Sequence, residues 1–219
     1  MSARVSDRAA RRLATLLTRE RELWASGIER IAGVDEAGVG PLAGPVVAAA
    51  VIFPPDFGIP GVDDSKKLTP DRRATLALAI RDSALAFAVA LVEPEEIDRI
   101  NVYQATLAAM ALALDGLAVK PQHVLVDARR IPGCDLPQEA IIKGDAHCHA
   151  IAAASILAKT TRDDLMRRYD REFPGYGFAD HKGYPTEAHR DAIRRLGPCA
   201  IHRRSFTLLP ATTFWTEPH

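Results

Sequence analysis

The sequence predicts an α/β fold. Short apolar runs, 31–34, 46–53, 85–92 and 123–126, alternate with longer stretches whose apolar residues recur every three or four positions. The first run ends in two adjacent acids, Asp35 and Glu36, followed by a loop with glycines at 38, 40 and 44 and prolines at 41 and 45. Another run ends in Asp127, and α/β folds carry their chemistry at the carboxyl ends of strands. With 219 residues, 47% of them hydrophobic, the chain suits one large domain or a domain with a small appendage.

In chain order, residues 1–27 read as a helix, with Leu13, Leu16, Leu17 and Leu23 on one face and Ser26-Gly27 as its stop. It is either packed on the domain or a loosely held arm. Residues 30–36 and 45–53 form the first two strands. Asp63-Asp-Ser-Lys-Lys-Leu-Thr-Pro70 leads into a helix, with Thr69 as N-cap and Pro70 as first helical residue. Lys66 and Lys67 lie in the loop before it, placed to meet phosphate or simply solvated. Leu85–Val92 is a strand, Pro94 to about Leu117 a single helix, and His123–Val126 a strand ending in Asp127. After a loop at 128–138, Glu139–Ile142 is a short strand. Lys143-Gly-Asp145 opens a long helix from about Ala146 to Tyr169. Residues 173–185 are irregular, Thr186–Leu196 is a final helix, and the tail after Phe206 has little pattern.

Charge and cysteines narrow the setting. Lys plus Arg equals Asp plus Glu, 28 each, so bulk charge names no partner. Between His181 and Ser205, however, six Lys/Arg stand against Glu187 and Asp191, a stretch that is either a basic patch for nucleic acid or a solvated helix face. Three scattered cysteines suit a reducing compartment rather than a disulfide frame. No apolar segment approaches the ~18 residues of a membrane span, and no signal-peptide core stands at the N-terminus. A cytoplasmic protein is expected, and, without a coiled-coil pattern, a monomer.

Four acids stand out by position: Asp35, Glu36, Asp127 and Asp145. If the strands lie side by side, their ends bring these carboxylates together, and such a cluster calls for cations. Oxygen ligands select Mg2+ or Mn2+ over zinc. Two ions about 4 Å apart serve phosphodiester hydrolysis by activating water and stabilising the leaving oxygen. Adjacent strand residues point to opposite faces, so Glu36 must reach round the strand end or use its carbonyl. Acids at strand ends also cap helices or pair with arginines, and that reading stays open from spacing alone. His147-Cys148-His149 lies in a predicted helix, where its side chains cannot converge on a metal. The glycine loop is no Walker motif, because no Gly-Lys-Ser/Thr follows.

The chain closely resembles the bacterial ribonuclease HII family. The resemblance rests on motifs in family order: Gly33-Val-Asp-Glu-Ala-Gly38, Gly40-Pro-Leu-Ala-Gly-Pro-Val46, Asp64-Ser-Lys-Lys-Leu68, Leu125-Val-Asp127, Lys143-Gly-Asp145, Ala153-Ala-Ser-Ile-Leu-Ala-Lys159, His181-Lys-Gly-Tyr-Pro-Thr186 and His202-Arg-Arg-Ser-Phe206. It implies a ribonuclease H-like fold, a mixed central sheet flanked by helices with a C-terminal helical portion. The organisation expected is a helical extension over 1–29, a catalytic domain over 30–206 and a tail over 207–219.

The activity implied is endonucleolytic cleavage of the RNA strand of RNA–DNA hybrids. Incision 5′ to single ribonucleotides in duplex DNA, the first step of their excision repair, is implied as well, with 3′-hydroxyl and 5′-phosphate ends. The family's catalytic acids fall on Asp35, Glu36, Asp127 and Asp145. One ion would be held mainly by Asp35 and Asp145, the other by Asp35, Glu36 and Asp127. Gly38–Gly40 would read the 2′-hydroxyl, Lys66 and Lys67 would approach the backbone, and Tyr184 would pack on the sugar at the RNA–DNA junction. One departure matters: Val39 stands where the family has arginine. The alternative is therefore a hybrid-binding protein with weakened catalysis.

Overall fold

A computed structural model describes residues 2–209; the expected tail lies almost wholly outside them. The centre is a five-stranded mixed sheet of β1 (Ile31–Ala37), β2 (Val46–Ile52), β3 (Ala86–Val92), β4 (His123–Asp127) and β5 (Gln138–Ile141), in the order β3-β2-β1-β4-β5. The β1-β2-β3 half is antiparallel, while β4 and β5 run parallel to β1. β2 is apolar and buried throughout, as a strand covered on both faces must be.

Helices cover the two faces. On one, α5 (Val102–Asp115) packs Ala105, Ala109, Met110 and Ala113 onto Ala32, Val34, Ala48 and Ala50. On the other, α3 (Pro70–Ser83) and α6 (His149–Glu172) pack onto Val47, Ala49 and Val51. α6 crosses β1 so closely that a Cβ on Gly33 would lie 2.1 Å from the Ala150 carbonyl carbon; only glycine permits this contact. The alanines of α6 serve the same approach from the other side.

Two expected helices are broken. The N-terminal helix is two, α1 (Ser2–Leu16) and α2 (Thr18–Ala25). The helix from Pro94 is also two, α4 (Pro94–Ile100) and α5, divided at Asn101, whose φ of 68° no helix accommodates. The Asn101 side chain accepts the Tyr103 and Gln104 N–H groups, so this residue caps α5 rather than continuing α4. The long helix starts at His149, later than expected, because Gly144–Ala146 forms a separate 3-10 turn. The irregular stretch holds a short helix, α7 (Phe178–His181), ahead of α8 (Glu187–Leu196).

The N-terminal helices are tied down rather than loose. Arg12 donates to both Asp63 carboxylate oxygens, at 2.6 and 3.2 Å, and to the Ala146 carbonyl at 3.0 Å. Arg19 makes a bidentate pair with Glu139. Buried Glu20 accepts the Ala150 N–H at 3.0 Å, at the start of α6.

Candidate metal and nucleic-acid site

The acids meet because of strand register. Parallel pairing of β1 with β4 ends at Val34 and Val126, so Asp35 and Asp127 are the next residues on neighbouring strands. Glu36 belongs to the opposite face by alternation, yet its side chain reaches round the strand end. One carboxylate oxygen from each of Asp35, Glu36 and Asp127 lies within 4.8 Å of the others. Asp145 stands apart from this trio in the 3-10 turn. Its neighbour Gly144 donates its N–H to Asp127 Oδ1 at 2.6 Å.

The electrostatics fit a cation. Burial first, then the Glu36 and Asp127 charges, push the Asp35 carboxyl well above the carboxylate range. Burial also raises Glu36, with Arg129 opposing and Asp127 adding to the rise. Burial raises Asp145, with Asp64 adding and Lys66 opposing. Protein cations supply part of the compensation: Arg129 Nη1 lies 3.3 Å from Glu36, and Lys66 Nζ 3.9 Å from Asp145. Glu36 Oε2 is nevertheless buried with no hydrogen-bond partner. An orphaned carboxylate oxygen among other hard oxygens is a donor set suited to a divalent ion.

The expected nucleic-acid contacts surround the acids. Lys66, with its side chain 81% exposed, and Lys67 lie in a 3-10 turn, and Lys67 faces Asp63 and Asp64 at 3.8 and 3.7 Å. Gly38, Val39 and Gly40 directly follow β1. Half-exposed Tyr184 lies against Gly40, where an added Cβ would be 3.9 Å from the Tyr184 ring.

Sequence reasoning missed several residues here. Ser155 of α6 lies beside Asp35, where it opposes the rise of that carboxyl, and its hydroxyl lies 2.9 Å from that of Ser65; a single hydroxyl in an alanine run was the available signal. Asp64 presses on Asp145. Two buried arginines grip the glycine loop. Arg203 donates to the carbonyls of Gly38, Val39 and Gly44, and Arg162 to those of Ala43, Pro45 and Lys182.

The structure also bears on the two readings of 181–205, a basic patch or a solvated helix face. Arg203 is fully buried, Arg190 binds the Leu208 carbonyl, Arg194 pairs with Glu187 and Asp191, and Arg195 binds the Gly175 carbonyl. Arg203 is thus withdrawn from the surface, while Arg194, Arg195 and Arg204 remain exposed. His147, Cys148 and His149 are likewise no cluster: buried Cys148 stands at the N-cap position of α6 with no side-chain capping bond, and buried His149 accepts the Ile59 N–H.

A mixed sheet of this order, covered by helices and bearing carboxylates at neighbouring strand ends, defines a ribonuclease H-like α/β protein. The ribonuclease H2 of Pyrococcus horikoshii OT3 superposes with a TM-score of 0.67 at 30% identity, over 82% of this chain and 94% of that one. The Ribonuclease HII family profile matches residues 32–209. Ribonuclease HII of Myxococcus xanthus is 58% identical over 89% of this chain and 67% of its own length. That of Moorella thermoacetica is 54% identical over 93% and 98%. The chain belongs to the ribonuclease HII family, and it is a ribonuclease H enzyme.

Proposed function

We propose that this endoribonuclease cuts the RNA strand of RNA–DNA hybrids and incises 5′ to single ribonucleotides in duplex DNA, opening their excision repair. It would leave 3′-hydroxyl and 5′-phosphate ends and act as a monomer in the cytoplasm, a setting that suits its three free cysteines. Among the described residues no helix is long and apolar enough to cross a membrane.

The observation that carries the reading is the convergence of Asp35, Glu36 and Asp127 around an unpartnered Glu36 oxygen. These three residues, with Asp145, would hold two divalent ions, Mg2+ or Mn2+. Bound there, the ions supply the positive charge and Lewis acidity for water attack on the phosphodiester.

The protein's own groups do the rest. The Glu36 N–H donates to Asp35 and orients it, with Ser155 beside the carboxylate. Arg129 steadies Glu36. Lys66, exposed beside Asp145, meets a backbone phosphate, which positions the duplex without reading sequence. Arg203 holds the carbonyls of Gly38 and Val39 and so fixes the loop whose N–H groups would meet a 2′-hydroxyl, the group that distinguishes RNA from DNA. Tyr184, beside Gly40, packs on the sugar at the junction.

An incision assay tests this reading, with labelled duplex DNA carrying one internal ribonucleotide and Mg2+ and Mn2+ supplied separately. Cutting 5′ to the ribonucleotide, absent from the all-DNA duplex, with chelator and in Asp35→Asn, is the expected result. Tight hybrid binding with no cut under either ion would overturn catalysis and favour the hybrid-binding alternative that Val39 motivates.

A further inference from the structure

Buried histidines lie beneath the loop that carries Tyr184. His189 and His202 are fully buried, and His181 stacks on His189 with ring centroids 4.3 Å apart. Phe178 packs edge-on against His181 and His189. None of these rings enters the chemistry above. A buried imidazole is costly unless both ring nitrogens find partners.

The partners here dictate where each proton sits. His189 Nδ1 is 2.9 Å from the Tyr184 carbonyl oxygen. A carbonyl only accepts, so Nδ1 carries the hydrogen and, in a neutral ring, Nε2 is bare. His189 Nε2 faces His202 Nε2 at 3.1 Å, so His202 Nε2 must donate. That leaves His202 Nδ1 bare, and it receives the Cys199 N–H at 2.9 Å, with the Cys199 thiol 3.1 Å away as a second donor. A backbone donor fixes one end and a backbone acceptor the other. With neutral rings, one arrangement satisfies every contact. His181 follows the same logic: its Nδ1 accepts the Gly183 N–H at 3.1 Å and its Nε2 donates to the Tyr176 carbonyl at 2.8 Å.

The chain of rings joins two parts of the site. The His202 backbone bridges to Ala43, and the Leu42 N–H donates to the Gly183 carbonyl at 2.8 Å. His202 is therefore fastened to the strip that continues the glycine loop. Through His189 it also holds the peptide of Tyr184, whose ring lies against Gly40.

We propose that His189 and His202 are positioning residues, a relay of fixed tautomers that locks the Tyr184 peptide and hence the ring that meets the ribonucleotide sugar. The proposal rests on reading Tyr184 as a substrate contact. A proton added to His189 Nε2 would set N–H against N–H and break the relay. The groups facing the two rings are His181, Tyr176, Cys199 and Arg204. Burial, reinforced by His181 and His202 against the Tyr184 carbonyl, holds His189 down at about 4, and burial lowers His202 too. The relay thus stays neutral at working pH.

Two measurements test it on the full chain. Long-range 1H–15N correlation spectra read the tautomers directly. The expected result at pH 7 is His189 protonated at Nδ1 and His202 at Nε2; the opposite tautomer, or a cation, at either ring overturns the relay. The second is steady-state incision of the single-ribonucleotide duplex. His189→Asn keeps a donor where Nδ1 was, and His189→Leu removes it. His189→Leu raises KM about fivefold, the size of one ordinary hydrogen bond, with kcat little changed, and His189→Asn restores most of the loss. In a Tyr184→Ala background His189→Leu adds nothing. An equal defect in both variants, or an undiminished defect without Tyr184, overturns the positioning role. A parental KM in Tyr184→Ala overturns the reading of Tyr184 and the substrate role with it, while the tautomers separately decide whether the relay exists.

Discussion

Gly144 donates its backbone N–H to Asp127 Oδ1 at 2.6 Å. That bond fastens the turn bearing Asp145 to the strand end bearing Asp127, so the main chain holds the fourth acid one step from the other three. Asp127→Asn keeps an oxygen for Gly144 and loses only the charge, whereas Asp127→Ala loses both. Both variants lose incision by at least about a hundredfold. Asp127→Ala alone also loses about 1–3 kcal/mol of stability, the cost of leaving a buried N–H unpaired. Thermal melts beside incision rates separate the two effects.

Asp35 has its carboxyl raised by burial and by Glu36 and Asp127, so its ionised form costs the fold free energy. Stability from this group is present below its unfolded value and lost as pH rises toward the folded one. In chelator at neutral pH, Asp35→Asn therefore melts above the parent, by about 3 °C or more, while losing activity. Added Mg2+ or Mn2+ raises the parent's Tm by mass action, and raises that of Asp35→Asn far less.

Glu20 gives a second pH signature, away from the acids. Burial, opposed by the Ala150 N–H, pushes its carboxyl from 4.5 up to about 7. A raised acid stabilises below its unfolded value and loses that contribution as pH climbs through 4.5 to about 7. Glu20→Gln removes the titration, so its stability falls less across that window, by on the order of 3 kcal/mol relative to the parent. Urea titrations from pH 4 to 8 measure the difference; parallel curves would rule the effect out.

Gly33→Ala places a methyl 2.1 Å from the Ala150 carbonyl carbon, backbone that cannot step aside without moving α6. The expected loss is about 3 kcal/mol, a fall in Tm of roughly 6–12 °C. Incision falls with it, because Gly33 and Asp35 share β1, and a shift between β1 and α6 displaces the acid.

Val39 is half-buried and its carbonyl is held by Arg203 at 2.9 Å, so its backbone does not depend on its side chain. Val39→Arg adds a cation beside the glycine loop without disturbing that bond. Incision rises by up to about tenfold at low salt, with the gain shrinking as salt is raised. A salt-independent gain, or none, would show that arginine is not missed here.

Much of the fold was legible because apolar period and glycine–proline punctuation are local signals. The strands fall within a residue or so of their expected bounds, and Thr69 and Pro70 open α3 as their chemistry dictates. The break at Asn101 was not read, although asparagine is a natural cap: an uninterrupted apolar pattern hides a single residue of positive φ. The two readings of the basic stretch stayed open for a related reason. Composition counts charges, but burial against carbonyls decides whether they reach solvent, and Arg203 is spent on the glycine loop.

By itself the sequence determined the strand–loop–strand frame, the acids at strand ends and the family motifs, since each is written in neighbouring residues. Tertiary structure alone decided that register brings Asp35 beside Asp127, that Glu36 turns round the strand end, and that Asp145 stays one step away. It also decided that Arg12, Arg19 and Glu20 of the N-terminal helices hold the elements around the site. Those are contacts between residues far apart in the chain. Their formation depends on burial and hydrogen-bond geometry, which no local pattern encodes.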